Sequence, residues 1–401
     1  MSDTRSFAAL RHPRFRAYFL GSALAMMADS IEHVISYWII FQKFQSPALG
    51  GFAVLSHWLP FLLFSVYSGA LADRYDPRRI IQIGMALFMA VSLGWGLLFL
   101  TDALEMWHAA ALLVLHGFAG VFWSPAAQVF IHDVVDEPRL HSAVRLMATA
   151  RWLGLLFGPG VGGAILLAAG PAHGLLLNAL IYLPLVLWLW KTPYTKKPAP
   201  GQLRALADIV ATLREIAGHR VILPMILLAG GTSLLVGNAY HAQMPEFARD
   251  LGHEHADLSY SMLLGADAAG ALIAGLLLES RGLLQARAPT AFALALLWCV
   301  AIAAFAAVSS YPLALALLFV AGFLELSFNA MAQTLVQLHA PAHARGRVIG
   351  LYAMSALGMR TFSGITVGLG GHLIGIHWSL ALSAAMLFLL VVTLLLATRS
   401  Q

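Results

Sequence analysis

Only one cysteine, Cys299, occurs in the chain, and it lies within an apolar run. No intrachain disulfide can form, and the thiol is read as inert packing. Charge is also scarce: Asp, Glu, Lys and Arg make up 11% of the 401 residues, where a soluble protein of this size carries about 25%. There is no Walker-type phosphate loop, and no serine stands in a nucleophile-elbow context, so nucleotide-driven and hydrolytic chemistry are unsupported and an enzyme is not expected. The formal charge of +5 does not mark a nucleic-acid partner, because the basic residues are scattered through short loops instead of gathered on one face. What fills the chain is apolar: hydrophobic residues reach 60% and the mean hydropathy is +0.79. These proportions describe an integral membrane protein with almost no soluble domain.

A run of about 20 apolar residues crosses the hydrocarbon core of a bilayer as a helix. Breaks at Pro, Gly and charge divide the chain into twelve such runs, numbered here as spans 1 to 12. Their approximate limits are 15–41, 48–72, 80–101, 106–131, 142–169, 172–190, 220–246, 257–279, 288–308, 312–338, 347–371 and 375–396. The longest polar connection contains Pro193, Pro198 and Pro200, and its stretch Leu203–Ile216 predicts a short amphipathic helix. The expected organisation is an N-terminal six-helix bundle over 1–190, a cytoplasmic linker over 191–219 and a C-terminal six-helix bundle over 220–401. Arg5, Arg11, Arg14 and Arg16 precede span 1 much as a signal-peptide n-region would, but the run that follows is too long for an h-region and contains acids. A retained first helix is expected.

Basic residues set the orientation. Of the 24 Lys and Arg, only Lys43 and Arg249 fall in odd-to-even loops, and Arg145, Arg151 and Arg360 lie inside spans. The remainder occupy the N-terminus, the even-to-odd loops and the C-terminus, which places both termini in the cytoplasm of a multi-pass protein of the cell (inner or plasma) membrane. The acids Asp102, Glu105, Glu246, Asp250, Glu254 and Asp257 gather on the outer side. The halves also echo one another. His33 pairs with His241, and Gly162-Gly163 with Gly370-Gly371, at one common offset, while the segments at Gly69 and Gly275 follow at nearly the same offset. Internal repeats that enclose a site near the membrane midplane suit alternating access.

The densest charge in the chain is the loop Gly69-Ala-Leu-Ala-Asp73-Arg74-Tyr-Asp-Pro-Arg78-Arg79. Asp73 ends span 2, where the negative pole of its own helix disfavours a carboxylate. A partner is available at the start of span 11, where Arg345-Gly346-Arg347 offers a positive helix pole and two cations. Gly69 would let the two helices approach. The expectation is a cytoplasmic latch; in the simpler alternative, Arg74, Arg78 and Arg79 serve only as topology determinants. This loop, G-x-L-A-D-R followed by paired arginines, resembles the connection between helices 2 and 3 of the major facilitator superfamily.

A second motif narrows the resemblance. Gly154-Leu-Leu-Phe-Gly158-Pro159-Gly-Val-Gly162-Gly163 in span 5 looks like the antiporter motif G-x-x-x-G-P-x-x-G-G of drug/proton exchangers, with glycines for close packing and a proline that removes a backbone donor. With the start of span 1 at Phe15-Arg-Ala-Tyr-Phe19 and that of span 11 at Gly346-Arg-Val-Ile-Gly-Leu351, the chain is most similar to the enterobactin-exporter and macrolide-efflux branch. The resemblance runs from Phe15 to about Ala397. It implies an all-α integral membrane fold of twelve transmembrane helices in two pseudo-symmetric six-helix bundles, and export coupled to proton influx. One departure stands out. Where these exchangers carry R-x-x-Q-G in span 4, this chain reads Leu113-Val-Leu-His116-Gly117, so coupling must use other groups.

Those groups are sought among intramembrane polar residues, which are costly in lipid and usually face a cavity. In span 1, Asp29, Glu32, His33 and Ser36 share one helix face. Span 4 carries His116, Gly120, Ser124, Gln128 and His132, and span 10 carries Glu325, Asn329, Gln333 and Gln337. The resemblance implies that spans 1, 4, 7 and 10 line the cavity. The candidate substrate- and proton-binding residues are Asp29, Glu32, His33, His57, His116, Arg151, Asn238, His241, Asp267, Glu325, Asn329 and Arg360. The candidate gating residues are Gly69, Asp73, Arg74, Arg78, Arg79, Gly154, Gly158, Pro159, Gly162, Gly163 and Arg347. A polar cluster that only ties span 1 to its neighbours is the structural alternative.

The leading expectation is a monomeric secondary transporter that exports a small amphipathic organic molecule, a siderophore or drug, by alternating access. Its partners are that substrate and the bilayer. It uses the proton gradient as its energy source, needs no cofactor and holds no resident metal. The alternative is a divalent metal exporter using Asp29, Glu32 and His33, suggested by sixteen histidines and weakened by the lack of a cysteine or His-rich tail to support it. A sensor that kept the fold is a third class, favoured by nothing in the chain.

Overall fold

The architecture is that of a computed structural model, which describes residues 7–44, 47–193, 205–237, 239–252, 256–281, 286–363 and 370–399. These residues are helical, with no strand among them. Span 1 is the helix Pro13–Phe44, span 2 Pro47–Arg74, span 3 Pro77–Leu100 and span 4 Met106–Val134. Local chemistry sets their starts. Asp76 caps span 3, accepting the Arg78 N–H at 2.9 Å, and Pro77 stands at the first helical position, where its missing donor costs nothing. At the start of span 4 the Glu105 N–H donates to His108 Nδ1 at 3.2 Å.

Spans 5 and 6 run together as Leu140–Ile181 and Leu183–Lys191. The turn between them is a single residue, Gly170, at φ 75°, which a side chain would strain, and Pro171 follows it. Linker residues 194–204 lie outside the described set, and the amphipathic helix expected there is seen as Ala205–Ala217. Spans 8, 9, 10 and 12 are Ala256–Arg281, Ala288–Ala307, Tyr311–His339 and Ile376–Arg399.

Spans 7 and 11 are broken. Span 7 is Ile222–Leu235, Ala239–Ala242 and Met244–Asp250, with Gly237 at φ 51° after the first piece. Span 11 is Arg345–Ala353, a π turn Met354–Gly358 and Arg360–Ser363, with Gly370–Ile374 beyond the undescribed residues 364–369. With these interruptions, and with the end of span 5 and span 6 running together, nine described helices are individually long and apolar enough to cross a bilayer. Broken helices are tolerated at membrane depth where they line a cavity, and π turns cluster at functional positions.

One apolar core joins residues between Ile216 and Val391, and two others join residues between Ala9 and Leu189. Val66 of span 2 sits in the first core and Ile349 of span 11 in the second, and Leu357 of span 11 joins Phe61 and Val121 in a small cluster of its own. The exchange marks the junction of spans 2 and 11. Large apolar side chains such as Leu63, Leu297 and Met386 are exposed, as a lipid-facing surface requires.

Candidate functional site

Gly69 and Gly346 bring spans 2 and 11 together, and a methyl group on either would strike the other's carbonyl. Gly350 lies against Ser65 and Val66, and Gly358 against Leu62, so the contact continues along span 2. At its end Asp73 accepts two N–H groups from the first turn of span 11: Gly346 to Oδ1 at 2.5 Å and Arg347 to Oδ2 at 3.0 Å. Arg347 Nε lies 3.7 Å from the same oxygen. A carboxylate here satisfies helix donors that have no partner within the helix and meets the positive pole.

A second seam joins spans 5 and 8. Arg145 donates to the Leu278 carbonyl at 2.6 Å, Ser142 donates to Glu279, and Gly275 packs on Thr149. Between spans 4 and 10, Gln337 donates to Gln128 at 3.4 Å. Together these contacts join the two halves at this end of the molecule.

Not all the loop charges reach the seam. Arg78 binds Asp76 and donates to the Thr192 carbonyl at the end of span 6, and Arg79 donates to Gln82. These two stabilise their own loop, while Arg74 is half-buried at the end of span 2. In span 5, Gly154, Gly158 and Gly162 lie against Met26, Ser30 and Ile31, so the glycine face packs on span 1. A Cβ on Gly163 would meet nothing within 4 Å, and the Pro159 side chain lies outside the described set.

Deeper in the N-terminal half, His116 stands between the two acids of span 1. Its Nδ1 is 2.7 Å from Glu32 Oε1 and its Nε2 is 3.0 Å from Asp29 Oδ1. The Nδ1 contact has hydrogen-bond geometry and the Nε2 contact is at ion-pair distance, so one ring faces both acids. Ser92 of span 3 donates to Glu32 Oε2, and Asn178 of span 6 donates to Ser92 Oγ at 3.1 Å and to the Ala28 carbonyl at 3.0 Å. Sequence reasoning missed Ser92 and Asn178. Their only signal was a lone polar residue in an otherwise apolar run. Glu32 and His116 are buried, whereas the side chains of Asp29 and His33 keep 18% and 24% exposure, which leaves one side of the cluster reachable. His33 Nδ1 faces the Asp29 carbonyl at 2.7 Å, and the His57 ring lies 4.9 Å from His33 and 5.4 Å from His116, centroid to centroid.

The C-terminal half holds a second cluster. His241 Nε2 is 3.2 Å from Asp267 Oδ2, with Asp267 and Glu325 both buried. Gly322 lies against the Asp267 backbone, which lets spans 8 and 10 cross closely. The Arg360 guanidinium, just past the π turn, sits 5.1 Å above the Trp58 ring of span 2. Arg151 of span 5 interacts electrostatically with Glu325 on one side and Asp29 on the other, and so lies between the clusters. Asn329 is half-buried, and its carbonyl accepts from Tyr352 at 3.3 Å; Asn238 lies outside the described residues.

Residues 18–362 match the sequence profile of the Major Facilitator Superfamily. The chain belongs to that superfamily. Among its relatives, the multidrug efflux pump Tap of Mycolicibacterium fortuitum is 25% identical over 392 residues, 94% of either chain. The enterobactin exporter EntS of Shigella boydii serotype 4 is 25% identical over 369 residues, 90% of this chain and 86% of EntS. The fold is similar to that of the human organic anion transporter MFSD10, with a TM-score of 0.76 at 17% identity, covering 96% of this chain and 99% of the other. The protein is thus a multi-pass, all-α major facilitator with twelve spans, a transporter of small molecules and not an enzyme. Its place near the enterobactin-exporter branch agrees with the resemblance carried by its motifs.

Proposed function

We propose that this major facilitator is a proton-coupled exporter of a small amphipathic organic molecule of the drug or siderophore class. It would work by alternating access between bundles at 1–190 and 220–401, with both termini cytoplasmic. The observation that carries the reading is His116 held between Asp29 and Glu32. The polar chain extends through Arg151 to Glu325 in the other half. The exchangers this chain resembles place an arginine in span 4; here a histidine cation serves the two acids from the same helix. The efflux relatives Tap and EntS support the direction and the substrate class.

In this reading the Asp73 contact holds the cytoplasmic side shut while Asp29 stays partly exposed. A proton taken up there neutralises one acid, loosens its pairing with His116 and frees span 1 to move against span 4. Substrate arriving from the cytoplasm drives the return. The test is a proteoliposome assay in which an imposed pH gradient drives flux of a dye or drug. Gradient-dependent flux is expected in the parent protein and its loss in Asp29→Asn. Flux indifferent to the gradient, with Asp29→Asn unchanged, would overturn the proposal.

A further inference from the structure

Three histidines from three spans meet in the N-terminal cluster: His33 of span 1, His57 of span 2 and His116 of span 4 each bring a ring nitrogen within 4.8 Å of the others. Their other nitrogens are arranged as a metal site requires. His33 Nδ1 faces the Asp29 carbonyl and His116 Nδ1 faces the Glu32 carboxylate, which leaves the Nε2 of each ring for a ligand. Such carbonyl and carboxylate partners fix the tautomer and orientation of metal-bound imidazoles. Glu32 is itself held by Ser92, and Ser92 by Asn178, so the outer shell is built to a second layer. His57 Nδ1 is buried with no hydrogen-bond partner in the structure. Asp29 Oδ1, 3.0 Å from His116 Nε2, supplies an oxygen beside the three nitrogens.

We infer that His33, His57 and His116, with Asp29 as the fourth donor, form a binding site for a divalent transition cation of the zinc class. Three imidazoles and one carboxylate suit a borderline, tetrahedral ion and do not suit magnesium or calcium. Metal–nitrogen bonds of about 2.0–2.1 Å bring tetrahedral ligands about 3.4 Å apart, so nitrogens within 4.8 Å of one another need to close by up to about 1.4 Å, which rotamer adjustments of the three rings supply. The partial exposure of His33 and Asp29 gives the ion a way in. The site does not make the ion the cargo. A bound cation takes the Asp29 edge of His116 and holds spans 1, 2 and 4 together, so the consequence is inhibition of transport by submillimolar zinc.

The test is Co2+ titration of the untagged, purified protein in detergent, followed by its visible d–d absorption. The inference expects one Co2+ per chain with an intense tetrahedral-type band that equimolar Zn2+ displaces. The band disappears in His57→Gln and His33→Ala, weakens in affinity by about 10- to 100-fold in Glu32→Gln, and is unchanged in His219→Ala, which alters the cytoplasmic linker end. Each variant is compared at equal thermal unfolding temperature, and His57→Gln removes a ring with no hydrogen bond to lose at Nδ1. No saturable band in the parent protein would overturn the inference. So would a band that survives in both His57→Gln and His33→Ala, which would show binding only at the other histidines. Because the readout is binding, it stands apart from transport: a pH gradient that drives no flux in metal-free vesicles removes the coupling proposal and leaves this one intact.

Discussion

Asp73 and Gly346 are joined by a hydrogen bond from a helix N-terminus to a carboxylate, 2.5 Å long, across two spans that are 273 residues apart in sequence. In the alternating-access reading proposed above this bond breaks when spans 2 and 11 part, so its strength would bias the conformational equilibrium. Asp73→Asn keeps the shape and removes the charge that meets the helix pole. That interaction is worth about 1–2 kcal/mol in a partly buried setting, so the equilibrium should move roughly 5- to 30-fold toward the form open at this end. Spin labels introduced on spans 2 and 11 at the Asp73 end would report it as growth of the longer distance. An unchanged distance distribution would show that the seam is held by packing alone.

Packing at the same seam can be tested from the other side. A side chain at Gly346 has nowhere to go, because the Gly69 carbonyl and the Asp73 carboxylate occupy the space a Cβ needs. Gly346→Val should therefore prevent closure without disturbing either apolar core. A cysteine at Ser65, buried under Gly350 in the closed form, should become reactive to a membrane-impermeant thiol reagent in this variant and stay protected in its parent. The native Cys299 is buried, which keeps its background low.

The twelve spans, the Asp73 contact with span 11 and the acidic face of span 1 are legible in the sequence because each depends on local pattern. Apolar length gives spans, a carboxylate at a helix C-terminus asks for a partner, and i, i+3, i+4 spacing makes a face. What stayed hidden depends on which helices meet. Ser92 and Asn178 look like stray polar residues until spans 1, 3 and 6 converge on Glu32. His57 has no neighbour in sequence that marks it, and its relation to His33 and His116 arises only when spans 1, 2 and 4 pack. The paired arginines are a different case. They fit the expected gate by motif, yet Arg78 is committed to Asp76 and the Thr192 carbonyl. The π turn in span 11 carries no proline to announce it, so its break was read as continuous helix.

His116 offers the sharpest test of coupling. Glutamine is what the resembling exchangers carry at the matching position, and it fits the volume and can hydrogen-bond one acid, but it carries no charge. In His116→Gln the two acids of span 1 would face each other in a buried site with no cation between them, and one of them should hold a proton throughout the cycle. Gradient-driven flux should fall by at least tenfold, while substrate exchange without a gradient, which needs no proton turnover, should persist. Equal loss of both activities would mean that His116 serves the fold instead.

Arg151 and Glu325 interact electrostatically across the halves without a direct ion pair, and such a coupling is revealed by what happens when only one member is removed. Arg151→Gln leaves Glu325 facing Asp267 with one compensating cation fewer beside Arg360 and His241, and Glu325→Gln leaves Arg151 beside Arg360 with less compensation. An uncompensated buried charge costs several kcal/mol, so each single variant should unfold at lower temperature in detergent. The double variant removes both charges and should recover part of the loss, giving a coupling within about 0.5–3 kcal/mol. Flux should not recover with it, because stability needs only neutrality whereas coupling needs the charges themselves. If the two single losses add without interaction, Arg151 and Glu325 act separately, and the path from span 1 to span 10 must run through Arg360 and Trp58.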